Sequence, residues 1–160
     1  TDHLTGIPNS REFYDRAEME IERARRSHAP LSLVYIDVDN FKTLNDSLGH
    51  SEGDKHLKTL AEAVSGLVRK VDVFARIGGD EFALLLPNTD LGGALAVVHK
   101  MEQGIARGMR GALLPVTVSM GVAAFQSPPP SVDAMLQKAD QLMYESKRLG
   151  KNRVTGAEFD

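Results

Sequence analysis

Two short acidic strings hold the residue types with the most chemistry to offer. Asp37-Val38-Asp39 closes an apolar run, and Asp80-Glu81 follows the pair Gly78-Gly79. Side chains alternate along a strand, so Asp37 and Asp39 fall on the same side of it. If the strand ending in Asp37-Val38-Asp39 lies beside the one that carries Glu81, three or four carboxylates converge. Like charges at close range are costly unless a cation or a proton neutralises them. Carboxylate and carbonyl oxygens are also what Mg²⁺ prefers, with water and phosphate oxygens as its other ligands. Two readings therefore stand: a divalent-metal centre, or solvated acids at strand ends, where Asp is common. The glycines divide in the same way. Gly78-Gly79 either supplies the positive φ of a tight turn, or leaves backbone bare for a nucleotide to approach. The histidines at positions 3, 28, 50, 56 and 99 show no paired metal spacing and read as surface or packing residues.

The elements that would position these groups follow from hydrophobic period and punctuation. Asn9 with Glu12 resembles a capping box. Phe13, Ala17, Ile21 and Ala24 then share a helical face, which predicts a helix over 10–27. Leu31 to Ile36 reads as a strand buried on both faces. Residues 40–48 fit a short helix stopping near Gly49, and Leu57 to Val68 a longer one reaching about Arg69. Val73 to Ile77 and Glu81 to Leu86 are strand-like and joined as a hairpin through Gly78-Gly79-Asp80. Asp90 caps a helix carrying Leu91, Ala94, Leu95, Val98, Met101 and Ile105, and Val116 to Phe125 is β-rich. Gln126 to Pro130 is a surface connection. Ser131 caps a last helix that Gly150 ends. Strand, helix, hairpin, helix and strand in this order fit a ferredoxin-like βαββαβ core, an α+β fold with a mixed, mainly antiparallel sheet flanked by helices.

Composition removes several function classes. With 160 residues, one domain over 1–160 is expected. The absence of cysteine excludes a disulfide framework, a Cys-ligated metal and a thiol nucleophile. A net charge of −3 argues against a nucleic-acid polymer held by bulk positive charge. No apolar run reaches about 18 residues, so no membrane contact by this domain is expected, and no signal-peptide pattern opens it. Thr1 rather than Met comes first, so a piece excised from a longer multidomain protein is expected.

Arg76-Ile77-Gly78-Gly79-Asp80-Glu81-Phe82 resembles the signature that names the GGDEF family of diguanylate cyclases. Further segments resemble family motifs in the family's order: Asp2 to Asn9, Ile36 to Lys42, Asn45 to His50 with Gly53-Asp54, Val118 to Val122, and Ala139-Asp140 through Tyr144, Lys147 and Gly150-Lys151-Asn152. Together they cover nearly the whole chain. The resemblance implies a cytoplasmic, bacterial signalling enzyme that condenses two GTP into cyclic di-GMP and releases two pyrophosphates. Each domain would hold one GTP, in a transient homodimer controlled by an upstream sensory or receiver module.

Residue by residue, the resemblance assigns Asp37, Asp80 and the Val38 carbonyl to Mg²⁺, two ions per GTP site, with Mn²⁺ able to substitute. Glu81 is a signature acid that would position a metal or accept a proton. Asn45 and Asp54 match a guanine-contacting pair, and Gly78 and Gly79 admit the nucleotide. Backbone N–H groups at Phe41 and Lys42 would hold phosphates, since helix N-termini favour anions. Lys147 and Lys151, read as four apart on one face of the last helix, match cationic positions that meet the triphosphate. The family commonly has Arg where this chain has Lys151, and Lys lacks the bidentate fork. Arg69 and Asp72 match the RxxD of an inhibitory product site. Other readings are a silent relative that binds GTP or cyclic di-GMP to regulate a partner, and a ferredoxin-like nucleotidyltransferase with another product.

Overall fold

The apolar residues of the strands divide between two faces, and each face gathers its own pair of helices. A computed structural model describes all 160 residues. It contains helix α1 (Ser10–Ser27), strand β1 (Leu31–Val38), helices α2 (Phe41–Leu48) and α3 (His50–Ser65), strands β2 (Val73–Arg76) and β3 (Glu81–Pro87), helix α4 (Leu91–Gly108), strand β4 (Val118–Phe125), helix α5 (Val132–Arg148) and strand β5 (Arg153–Phe159). On one face Val34, Ile36 and Val38 of β1 pack with Leu57, Leu60 and Val64 of α3 and Val98 and Met101 of α4. On the other, Leu31 and Leu33 pack with Phe13, Ala17 and Ile21 of α1 and Met135 and Ala139 of α5. Tyr35 and Asp37 continue that second face toward the end of β1.

The five-stranded sheet has the order β2-β3-β1-β4-β5. Its first four strands are antiparallel in the ferredoxin-like arrangement the sequence predicts. β1 at the centre sets Asp37 opposite Glu81 of β3 and Ser119 of β4. The expected helix caps are present: Asn9 forms a complete capping box with Glu12, Asp90 accepts from the Gly93 amide, and Ser131 accepts from the Ala134 amide.

Four expectations need correction. β5 pairs parallel with β4 and has no counterpart in the sequence reading. It is a half-exposed edge strand interrupted by Gly156, so no clean two-residue alternation marks it. Helix α3 stops at Ser65 rather than near Arg69, and the Asp72 amide donating to the Arg69 carbonyl turns the following chain. β4 begins at Val118, not at Val116. Helix α5 ends at Arg148, so Lys147 and Lys151 do not share its face. Gly150 takes φ +126° and Lys151 φ +64°, which turns the chain back toward β5.

Candidate active site

The end of β1 brings Asp37 against the turn that joins β2 to β3. The Val38 amide donates to the Asp80 carbonyl at 3.1 Å, which fixes that turn beside the strand. Asp37 is mostly buried, its side chain 19% exposed, and its Oδ1 is buried with no hydrogen-bond partner. Burial and the neighbouring Asp80 charge push its carboxyl up to about 7, against the opposing pull of Lys147. A buried, partnerless carboxylate oxygen next to a second carboxylate fits a hard divalent cation, which would relieve both costs. Asp80 is the stronger acidic neighbour of Asp37 and Glu81 the weaker, and both raise its carboxyl.

The other two acids of the motifs, Asp39 and Glu81, are engaged by donors of their own. Asp39 is fully buried and accepts four bonds: from Ser119 Oγ and Thr117 Oγ1 at 2.6 Å, Lys147 Nζ at 2.9 Å and the Asn152 amide at 3.0 Å. Burial pushes its carboxyl up, but these donors outweigh burial and hold it below the usual carboxylate range. Lys147 also lies 3.5 Å from Asp37. Glu81 accepts from the Tyr35 hydroxyl at 3.2 Å. Burial pushes Glu81 up, as do the charges of Asp80 and Asp140, while Tyr35 and Lys147 oppose the rise.

The signature turn departs from the tight-turn reading. Neither Gly78 nor Gly79 has positive φ. Instead, a Cβ at Gly78 would sit 2.6 Å from Glu81 Oε1, whereas one at Gly79 would face open space. A side chain at Gly78 would displace the Glu81 carboxylate, and Gly79 leaves bare backbone at the surface. Arg76 holds the turn, donating to the carbonyls of Gly78 (3.2 Å) and Gly79 (2.7 Å) and pairing with Asp2 at 3.2 Å.

Beyond β1, Asn40 (φ +56°) leads into α2 without a side-chain cap, so the first-turn amides at Phe41 and Lys42 have no capping acceptor. Lys151 Nζ donates to Asn40 Oδ1 at 2.6 Å, so Lys147 and Lys151 do meet the same loop, from a helix and from a turn. Asn45 of α2 packs over Gly53 of α3, where any Cβ would overlap its side chain, and its Oδ1 is buried and without a partner. Asp54 follows on the exposed side of the same helix. Arg69 and Asp72 lie apart from this group. Asp72 is buried and accepts from the Arg69 amide at 2.7 Å and the guanidinium at 2.9 Å, and half-exposed Arg69 also donates to the Pro87 carbonyl.

Sequence reasoning assigns no role to four contributors: Tyr35, Arg76, and the Thr117 and Ser119 hydroxyls, although Arg76 and Ser119 lie within motifs that carry the resemblance. The alternation of Thr117 and Ser119 is a signal only once register sets β4 beside β1.

A model of the family described as diguanylate cyclase, GGDEF domain, matches residues 1–153. The chain is 38% identical over 157 residues to the diguanylate cyclase DgcP of Pseudomonas aeruginosa, covering 96% of this chain and 23% of that protein. It is 34% identical over 163 residues to the response regulator PleD of Caulobacter vibrioides, covering 98% and 36%. The solved GGDEF domain of DgcB from Caulobacter crescentus, in complex with c-di-GMP, superposes with a TM-score of 0.90 at 30% identity, covering 98% of this chain and 92% of that one. The chain spans less than half the length of the curated relatives it matches.

Proposed function

The chain belongs to the GGDEF diguanylate cyclase family, and from that premise we propose that it condenses two GTP into cyclic di-GMP. Each 3′-hydroxyl attacks the α-phosphate of the other nucleotide. Two phosphodiester bonds form, two α–β phosphoanhydride bonds break, and two pyrophosphates and the two hydroxyl protons leave. The observation that carries this reading is the buried, partnerless Oδ1 of Asp37 beside Asp80, at the mouth of a turn with bare backbone.

Asp37, Asp80 and the Val38 carbonyl would hold Mg²⁺ (or Mn²⁺), which supplies charge neutralisation at the triphosphate and acidifies the attacking hydroxyl. Lys147, Lys151 and the uncapped amides of Phe41 and Lys42 take the phosphates. Gly78 and Gly79 let the nucleotide approach the main chain. Asn45 and Asp54 read guanine: its N1–H and amino group donate, so partnerless Asn45 Oδ1 and the Asp54 carboxylate can accept, and adenine offers no matching pair. Glu81 stands beside the pair as the remaining signature acid. Two chains, each with one GTP, face each other. Cyclic di-GMP returns to the half-exposed guanidinium of Arg69, which Asp72 holds in place, and slows turnover.

The test is incubation of the chain with GTP and Mg²⁺, products identified by mass spectrometry, with a coiled-coil fusion to enforce pairing. Cyclic di-GMP is expected from wild type and not from Asp80→Ala. Arg69→Ala is expected to make product without slowing as product accumulates. Binding of GTP with no product even in the fused dimer would replace this reading with a silent, regulatory domain.

A further inference from the structure

Behind the carboxylate pair lies a cavity of about 330 Å³ between α1, α5 and β1, bordered by Tyr14, Tyr35, Ile77, Asp133 and Asp140. One phenol there is accounted for locally, since the Tyr14 hydroxyl donates to Asp133 at 2.6 Å. The other has a partner on the sheet. Tyr35 stands two residues before Asp37 on the same strand face, and its hydroxyl donates to Glu81 Oε2 at 3.2 Å. The other oxygen of that carboxylate, Oε1, fills the space where a Cβ of Gly78 would be. Glu81 is thus held at one oxygen, by the Tyr35 hydroxyl, while the other lies in the space that Gly78 leaves by having no side chain.

The geometry points to Tyr35 as a positioning residue for the condensation: its hydroxyl fixes the Glu81 carboxylate against Gly78, in the orientation the two-GTP reaction uses. This rests on the cyclase reading above. Without that bond Glu81 has a half-exposed environment and two neighbouring acids, Asp80 and Asp140, that repel it. Nothing else donates a side-chain hydrogen bond to it: Lys147 is engaged with Asp39 and Asp37. Its rotamers would then spread away from the turn. A bond to a charged acceptor is worth enough that its loss is felt, and misplacement of a group beside reacting atoms lowers kcat more than it lowers affinity. Tyr35 touches neither nucleotide nor reacting atoms in this account, so its effect must pass through Glu81.

The experiment uses Tyr35→Phe, which keeps the ring and its packing, and has two readouts. In the coiled-coil-fused chain with GTP and Mg²⁺, kcat is expected to fall roughly tenfold while KM for GTP stays within about twofold. In thermal melts without nucleotide or metal, Tyr35→Phe is expected to shift Tm in the wild-type background and to leave it unmoved in Glu81→Ala, a coupling that a packing role would not produce. An unchanged kcat overturns the proposal. So does a rise in KM in place of the fall in kcat, and so does an equal Tm shift in both backgrounds. A wild-type fusion that makes no cyclic di-GMP overturns the cyclase reading, and the melting cycle then decides by itself whether Tyr35 holds Glu81.

Discussion

Two aspartates, Asp37 near the end of β1 and Asp39 just beyond it, have opposite environments, and the difference is in what faces them. Asp37 meets another carboxylate and keeps an oxygen without a partner, and burial with that charge raises its carboxyl to about 7 even with Lys147 3.5 Å away. Asp39 meets only donors: two hydroxyls, an ammonium and an amide. It ties the start of α2, β4, the end of α5 and the turn before β5 to one buried charge. Replacing it by Asn puts an NH₂ group among donors and leaves Lys147 without its closest anion. Asp39→Asn is expected to destabilise the fold by about 3 kcal/mol at pH 7, seen as a Tm lower by roughly 6–12 °C. The pH dependence has a definite sign. Because the folded state holds Asp39 below its ordinary value of 3.8, its contribution is fully present above that value and is lost as the pH falls through the lower folded one. The gap between wild type and variant therefore closes in acid, and a variant as stable as wild type at pH 7 would show that Asp39 anchors nothing.

At the scale of elements, what was legible in the sequence was whatever is settled within a few residues. Asn9, Asp90 and Ser131 announce helix starts because a cap needs only its own next turn. The central strand and the place of the glycine turn were legible for the same reason, but not the turn's backbone, which has no positive φ at either glycine. What was not legible depends on packing between distant segments: β5, the end of α3, and the paths by which Lys147 and Lys151 reach the β1 loop. The resemblance placed both lysines near the phosphates, yet the helix face invoked for them does not exist. Gly121 shows the same limit. It faces α5 from β4, and a Cβ there would overlap the backbone of Ala139 and Met143 and lie 2.8 Å from the Leu142 carbonyl carbon. Backbone cannot yield as a side-chain tip can, so α5 would have to lift, carrying Ser146 and Lys147 away from their partners. Gly121→Ala is expected to cost about 3 kcal/mol in denaturant melts. Gly79→Ala, into open space without a positive φ, is expected to cost less than about 0.5 kcal/mol. Equal losses from the two would mean that α5 does not sit against β4 as closely as the fold requires.

The whole molecule is a sandwich whose sheet carries one carboxylate pair at one end, and that count constrains how it can work. A product with two new phosphodiester bonds needs two activated α-phosphates and two attacking hydroxyls, whereas one chain brings one Asp37–Asp80 pair. Under the proposed reaction the competent species is two chains with their sites opposed. If pairing is weak, the paired fraction follows mass action, so activity per chain depends on how often chains meet. Specific activity is therefore expected to climb with protein concentration from the nanomolar range and level off once most chains are paired. A parallel coiled coil fused ahead of Thr1 should flatten that curve and bring its low end up to the plateau, because the linker sets a high effective concentration of the second site. The fusion separates pairing from chemistry, since Asp80→Ala in the fused form should stay flat at zero. A specific activity independent of concentration, from a chain that sediments as a monomer throughout, would mean that one chain completes both bonds in turn, and the two-chain arrangement would have to be abandoned.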